Sequence, residues 1–342
     1  GSSFKPFVYT ASFERGYSPS SIVLDAPVVF KDRKGNVWRP KNDRGGFMGP
    51  IRLREALVQS RNLVSVRLLD GIGVNYARDY ITRFGFSKDS LPANLSMSLG
   101  TASLTPMSVA RGYTVFANGG YKIEPYLIDR IVNFNDGEVF QAHPVTVCRQ
   151  CEHAPGIRAQ SDASIAVPAS ATTTDVVSNP VAPRVLDERT TYIMNSILKS
   201  VITDGSARSV DRAFERTDLA GKTGTTNGPR DAWFSGYSPH LTVTTWVGFD
   251  DNSKIGRNEY GGSAALPIWI DFAREALDGK PNIERPQPDG IVMVKVDAKT
   301  GNRVAPNQSG IFEFFRTENV PELIGGETLP GGADNSLPDD LF

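Results

Sequence analysis

Lys222-Thr223-Gly224-Thr225-Thr226 is the stretch from which the rest of this chain is read. From Leu219 onward apolar and polar residues alternate with a period of two, the mark of a strand with one buried face. Lys222-Thr223-Gly224-Thr225 reads as one strand, 232–237 as a second and, after Ser238-Pro239-His240, 241–249 as a third. Consecutive strands with short turns predict an antiparallel meander. Two further short motifs precede it in order: Ser2-Ser3-Phe4-Lys5, an S-x-x-K, and Ser60-Arg61-Asn62, an S-x-N. A lone K-T-G or S-x-x-K recurs by chance in a chain of this length. The three together, in this order, carry a definite meaning.

Upstream of the meander the period is helical. Phe4, Phe7, Val8 and Ala11 share one face, and Gly16 ends the run. Pro6 fixes the start, because proline is tolerated only in a first turn, where N–H groups lack intrahelical partners. The helix therefore begins at about Ser2, at its positive end. Residues 17–49 hold turns and short extended pieces. Pro50 is expected to open a helix carrying Leu53, Leu57 and Val58, so that Ser60-Arg61-Asn62 links it to the apolar run 63–69. Thr105-Pro106 caps a helix expected to bury Met107, Ala110, Tyr113, Phe116 and Ala117, with Gly119-Gly120 as its stop. Another follows Asp187, with Ile193, Ile197, Leu198 and Val201 inside and Gly205 at its end, and a last one spans about 269–277. The expected class is α+β, with residues 1–285 as one domain and 286–342 as a tail that holds a small strand pair and a Gly/Pro/Asp-rich end. Residues 141–183 lack any period and read as a flexible insertion.

Composition narrows the function. The 342 residues are 39% apolar and 22% charged, ordinary for a globular chain with a sizeable core. Lys plus Arg (37) balance Asp plus Glu (38), which leaves no basic excess for neutralising phosphates and argues against nucleic acid. No apolar run reaches the ~18 residues of a membrane span. Cys148 and Cys151 form a C-x-x-C flanked by His143 and His153. A local disulfide or two unpaired thiols fit this loop-like setting better than a tetrahedral zinc site, so no metal or other cofactor is expected.

S-x-x-K on a helix puts Ser2 and Lys5 on one face, within reach of each other. A serine hydroxyl needs a base, and histidine is the usual one. The three histidines are His143, His153 and His240; two fall in the insertion and none accompanies a G-x-S-x-G elbow. Lys5 is the natural substitute if burial and a second cation lower its pKa, and Lys222 is suited to be that cation. Ser60 would relay protons between a lysine and the leaving amine; Asn62 would hold Lys5 and bond the substrate amide. Lys222 and Gly224 share a strand face, with Gly224 leaving room for a substrate backbone. Thr223 and Thr225 offer hydroxyls to a carboxylate, with Lys222 adding positive charge, and Thr226 beside them is a further candidate for binding substrate. The N–H groups of Ser2 and Thr225 would form an oxyanion hole, and an extended peptide would lie along the strand.

These residues make the chain resemble the transpeptidase domain of class A penicillin-binding proteins, closest to the 1A type. The resemblance extends to Gly49-Pro50-Ile51-Arg52, Gln59-Ser60-Arg61-Asn62, Thr105-Pro106 through Ala117-Asn118-Gly119-Gly120, Gly221 to Thr226 and Asp231-Ala232-Trp233-Phe234, and covers roughly 1–280. It implies a β-lactamase/transpeptidase-like fold: an antiparallel sheet flanked by helices, an all-helical subdomain, and the active site in the cleft between them. It implies a serine D,D-transpeptidase that cross-links peptidoglycan stem peptides through an acyl-Ser2 intermediate and is inactivated by β-lactam antibiotics. It further implies a periplasmic setting, with an inner-membrane anchor and a glycosyltransferase domain elsewhere in the full-length protein. The family's sheet includes strands that precede the S-x-x-K helix, so a missing N-terminal segment of the same protein is an expected partner. Rival activities share the motifs. A serine β-lactamase needs an efficient deacylating base, and neither Glu55 nor Glu188 has a recognisable setting for it; Arg61 stands where β-lactamases often carry Asp. A D,D-carboxypeptidase differs only in using water as acceptor. A β-lactam sensor or peptidoglycan-binding module is the non-catalytic alternative.

Overall fold

The computed structural model describes residues 1–31, 35–43, 45–135, 137–149 and 179–323. A 3-10 turn at Ser2–Phe4 runs without a break into α1 (Lys5–Phe13), with Pro6 in the first turn as its missing N–H requires. Every residue of α1 is buried, so the helix is a central post with no solvent face. Two short ribbons follow: β1 (Ile22–Asp25) pairs with β4 (Gly49–Arg52), and β2 (Phe30–Lys31) with β3 (Val37–Trp38). Pro50 starts no helix; it lies in β4 opposite Leu24, and Ile51 pairs with Val23, which holds the chain extended through Arg52. Helix α2 (Leu53–Val58) begins only then, and Ser60-Arg61-Asn62 joins it to α3 (Asn62–Ile72) as expected. Gly73, at φ 85°, separates α3 from α4 (Val74–Ile81).

Helix α5 (Pro106–Ala117) is capped by Thr105, whose Oγ1 accepts from the Ser108 N–H at 3.2 Å. Its buried stripe is Val109, Gly112, Tyr113 and Phe116, which turns Met107 outward to 51% exposure, contrary to expectation. A hairpin, β5 (Arg130–Val132) with β6 (Glu138–Gln141), leads into the 141–183 segment. Most of that segment, 150–178, lies outside the described residues, Cys151 and His153 with it; Cys148 is disulfide-bonded. Asp187 caps α6 (Glu188–Thr203) by accepting from the Arg189 N–H at 2.8 Å, and α7 (Arg208–Ala213) follows.

The meander is as read: β7 (Ala220–Thr225), β8 (Asp231–Tyr237) and β9 (Thr242–Gly248), antiparallel, with Lys222 opposite Ser235 and Trp233 opposite Trp246. Helix α8 (Leu266–Ala276) starts earlier than the expected 269, because Pro267 again suits a first turn. The tail forms a hairpin, β10 (Ile291–Val296) with β11 (Ile311–Arg316). Buried Glu313 of this hairpin receives Arg54 of α2 through two hydrogen bonds at 2.7 and 2.5 Å, and the same guanidinium donates to Ser196 and Ser200 of α6. One contiguous apolar core joins α1, α3, α5, α6, α8 and the sheet. Phe7 lies at a hub of that core, its ring centroid between 4.8 and 5.7 Å from those of Phe4, Phe84, Phe86, Tyr113 and Phe116.

Candidate active site

The site forms where the Ser2 turn lies against β7. Tyr113 reaches from α5 to donate to the Ser3 carbonyl at 2.6 Å, and Phe4 N–H closes the turn on the Gly1 carbonyl at 3.0 Å. Gly224 allows this approach: a Cβ there would lie 2.8 Å from Ser3 Oγ and 3.0 Å from Ser3 N. The glycine of the K-T-G therefore makes room for the serine turn, whereas the sequence suggested that it clears space for substrate. A Cβ on Gly1 would meet Thr225 N at 3.0 Å, so the backbone on either side of Ser2 runs beside Gly224 and Thr225.

Behind Ser2 sits a cluster of two lysines, both fully buried. Lys5 Nζ donates to Asn62 Oδ1 and to the Ser60 carbonyl, each at 2.7 Å, and lies 3.3 Å from Ser60 Oγ. Lys222 Nζ comes from the sheet side to the same Ser60 Oγ at 2.9 Å and to the Thr223 carbonyl at 3.1 Å. Burial first, and then the Lys222 ammonium, drives the Lys5 amine well below the ordinary lysine range. Ser60 presents both oxygens because it is left-handed, at φ 56°. The turn has Arg61 N–H bonded to Ala56 O at 2.8 Å and Ser60 N–H to Leu57 O at 3.0 Å, a helix C-cap in which glycine is usual. A serine in that conformation is strained and is held there by its surroundings.

A cavity of about 470 Å³ opens on Ser2, Ser60, Thr223 and Thr225, with Tyr260 and Ser263 on its far wall. Thr223 Oγ1 is 2.5 Å from Ser206 Oγ, and Thr225 Oγ1 accepts from the Gly261 N–H at 3.0 Å. Thr226 is not brought to this cavity. Its Oγ1 accepts from the Asp231 N–H at 2.9 Å in the turn between β7 and β8, and it borders a separate cavity of about 620 Å³ with Arg230 and Trp233. Asn62 is 3% exposed with both amide groups engaged, Oδ1 by Lys5 and Nδ2 by Lys41 O and Asp43 Oδ1. It is thus a holder of Lys5 more than a substrate contact. Neither His143 nor His240 lines the cavity, and His240 instead faces the Pro281 carbonyl at 2.9 Å. Among the described residues no cluster of His, Cys, Asp or Glu is suited to a metal ion.

Sequence reasoning passed over Asp25, Asn42, Asp43, Tyr113 as a tether and Ser206. The first three lie in the aperiodic 17–49 region, where no spacing signals a shared site. Chemically, the arrangement offers a serine at a helix start, a buried amine one turn later whose pKa is lowered well below the ordinary lysine range, a hydroxyl shared by two amines, and paired hydroxyls on a strand.

Residues 1–273 match the family described as the penicillin-binding protein transpeptidase domain. Penicillin-binding protein 1A of Pseudomonas aeruginosa is 47% identical over 358 aligned positions, covering 99% of this chain and 43% of that protein. The Vibrio cholerae protein of the same name is 37% identical, covering 100% of this chain and 43% of its own length. The chain thus spans less than half of these relatives. The crystal structure of penicillin-binding protein 1A from Haemophilus influenzae superposes with a TM-score of 0.83 at 36% identity, over 94% of this chain and 48% of that one. Penicillin-binding protein A of Mycobacterium tuberculosis, solved as an imipenem acyl-enzyme complex, shares the fold at 18% identity, with a TM-score of 0.60 over 81% of this chain and 59% of its own.

Proposed function

Because the chain belongs to the penicillin-binding protein transpeptidase domain family, we propose that it is a serine D,D-transpeptidase acting on peptidoglycan stem peptides, with Ser2 as nucleophile. The observation that carries this reading is the Lys5–Ser60–Lys222 cluster beside the Ser2 turn. Ser2 Oγ attacks the carbonyl carbon of the penultimate D-Ala and its proton passes to neutral Lys5 Nζ. The oxyanion is received by the Ser2 and Thr225 N–H groups. Ser60 hands a proton to the departing nitrogen and takes the one held by Lys5 in its place, the C–N bond breaks and D-Ala leaves, and Lys5 is neutral again. The amine of a neighbouring stem then attacks the ester carbon, its proton returns to Ser2 Oγ through Lys5, and the new amide is the cross-link. Asn62 keeps Lys5 aimed; Lys222, Thr223 and Thr225 receive the terminal carboxylate, while Gly224 seats the serine turn. A β-lactam enters the same first step, but its opened-ring nitrogen stays attached and the acyl-serine persists.

The decisive assay supplies a D-Ala-D-Ala peptide with a D-amino acid as acceptor. An amide product alongside released D-Ala is expected. Hydrolysis alone would mark a carboxypeptidase, and rapid turnover of penicillin a β-lactamase. The full-length protein, in this reading, is a periplasmic enzyme anchored to the inner membrane that also carries a glycosyltransferase domain; among the described residues no helix is long and apolar enough to cross a membrane. Its sheet is completed along the outer edge of β9, which pairs with nothing among the described residues, by strands from another segment of the same protein. Hydrogen exchange of the β9 amides tests this: protection that appears only in the longer polypeptide supports it, and equal protection in both rules it out.

A further inference from the structure

The Ser60–Asn62 turn is held from behind by groups that no step of the proposed reaction uses. Asp25, the last residue of β1, is fully buried. Its Oδ1 accepts from Asn42 Nδ2 at 2.8 Å, and its Oδ2 from the Met48 N–H at 2.9 Å and Arg61 Nε at 2.8 Å. Asn42 is 8% exposed, and its Oδ1 accepts from the N–H groups of Asn62 at 2.9 Å and Leu63 at 3.3 Å. Those are the first N–H groups of α3, which have no intrahelical partner, and Arg61 at the N-cap gives no side-chain cap. Asn42 therefore caps α3 from a distant segment, in the place where a local Ser, Thr, Asp or Asn usually serves. Arg61 Nη2 is fixed in turn on the Gly46 carbonyl at 2.6 Å. One carboxylate thus grips the middle residue of the S-x-N directly and its last residue through Asn42.

We propose that Asp25 and Asn42 are positioning residues for acylation: their relay holds the Ser60–Asn62 turn so that Ser60 O, Ser60 Oγ and Asn62 Oδ1 all stay on Lys5. The inference rests on the reading of Ser2 and Lys5 as the reacting pair. Ser60 adopts φ 56°, a conformation that a non-glycine residue keeps only under external restraint. Without the relay the turn relaxes, Lys5 loses its three acceptors, and water reaches its amine. The charged groups that face Lys5 are Lys222, Asp43, Arg61 and Asp25. The lost acceptors favour the neutral amine and the added water the charged one; burial is the largest cause of the lowered pKa, so wetting the amine returns it toward the ordinary lysine range.

The test is the rate of acylation by benzylpenicillin as a function of pH, in the parent and two variants. Asn42→Ala is expected to slow acylation roughly 10²-fold, as small misplacement of a reacting group does, and to move the acidic limb of the profile to higher pH, with little change in half-saturating penicillin. The double exchange Asp25→Asn/Asn42→Asp keeps one amide and one carboxylate in the relay and still leaves an oxygen for the α3 N–H groups. It is expected to restore most of the rate and the limb. A purely structural role would lower the melting temperature and leave the limb in place. A folded Asn42→Ala protein with the parent rate and limb overturns the proposal, as does a folded double exchange no faster than Asn42→Ala. If Asn42→Ala does not fold, Asp25→Asn takes its place, and a folded Asp25→Asn protein with the parent rate and limb overturns the proposal in the same way. A parent that takes no penicillin overturns the functional reading itself, and the same assay reveals it.

Discussion

In the proposed reaction Lys5 and Lys222 have opposite duties, although both are buried and both reach Ser60 Oγ. Lys5 must be neutral to take a proton, and the fraction that is neutral rises as pH climbs through its lowered pKa. Acylation is therefore expected to rise with pH and level off well below the ordinary lysine value of about 10.4. Lys5→Ala removes the base, and a loss on the order of 10²–10⁴-fold in acylation rate is expected. A loss smaller than tenfold would assign the base elsewhere. Lys222 is the cation that presses hardest on Lys5. Lys222→Ala relieves that repulsion, so the acidic limb of the acylation profile is expected to move to higher pH. It is also expected to weaken a penicillin carboxylate more than the methyl ester, and equal weakening of both would contradict the carboxylate role.

At the level of elements, the joint between α2 and α6 depends on the tail hairpin. Glu313 is 1% exposed and takes two hydrogen bonds from Arg54, which also bonds Ser196 and Ser200. Glu313→Ala leaves a largely buried guanidinium without its carboxylate, at a cost of about 3–5 kcal/mol. Thermal unfolding should fall accordingly, and limited proteolysis should cut first between β10 and β11; an unchanged melting temperature would mean that the hairpin is only loosely attached. This joint was invisible in the sequence, because nothing local links residue 54 to residue 313. What the sequence did disclose was periodic or punctuated: the meander, α1 with Pro6, α5 with its Thr105 cap, α6 with Asp187, and the link at 60–62. Pro50 misled because a proline suits an edge strand as well as a helix start, and only the pairing of Ile51 with Val23 separates the two. Met107 misled because a helix stripe is set by what it packs against. In the site, spacing put Ser2 beside Lys5, and the resemblance carried by the three motifs joined Ser60, Asn62 and Lys222 to them; Asp25 and Asn42 reach them through folds of an aperiodic loop.

In the whole molecule, the candidate site sits on a single core, since apolar packing runs unbroken from α1 through α5 and α6 to the sheet and α8. Calorimetry should accordingly record one cooperative unfolding transition, whereas two separated transitions would show helical and sheet regions folding independently. Phe7 ties the regions together one turn beyond Ser2, and Phe7→Ala should lower stability by about 3–5 kcal/mol and slow acylation with it. The central claim remains that this core exists to present one serine to a carbonyl. It is tested most directly by mass spectrometry of the folded protein after benzylpenicillin, followed by mapping of the modified peptide. One penicilloyl group on the peptide that begins the chain, located at Ser2, is the predicted result. A label at Ser3 or Ser60, or no label on folded protein, would contradict it.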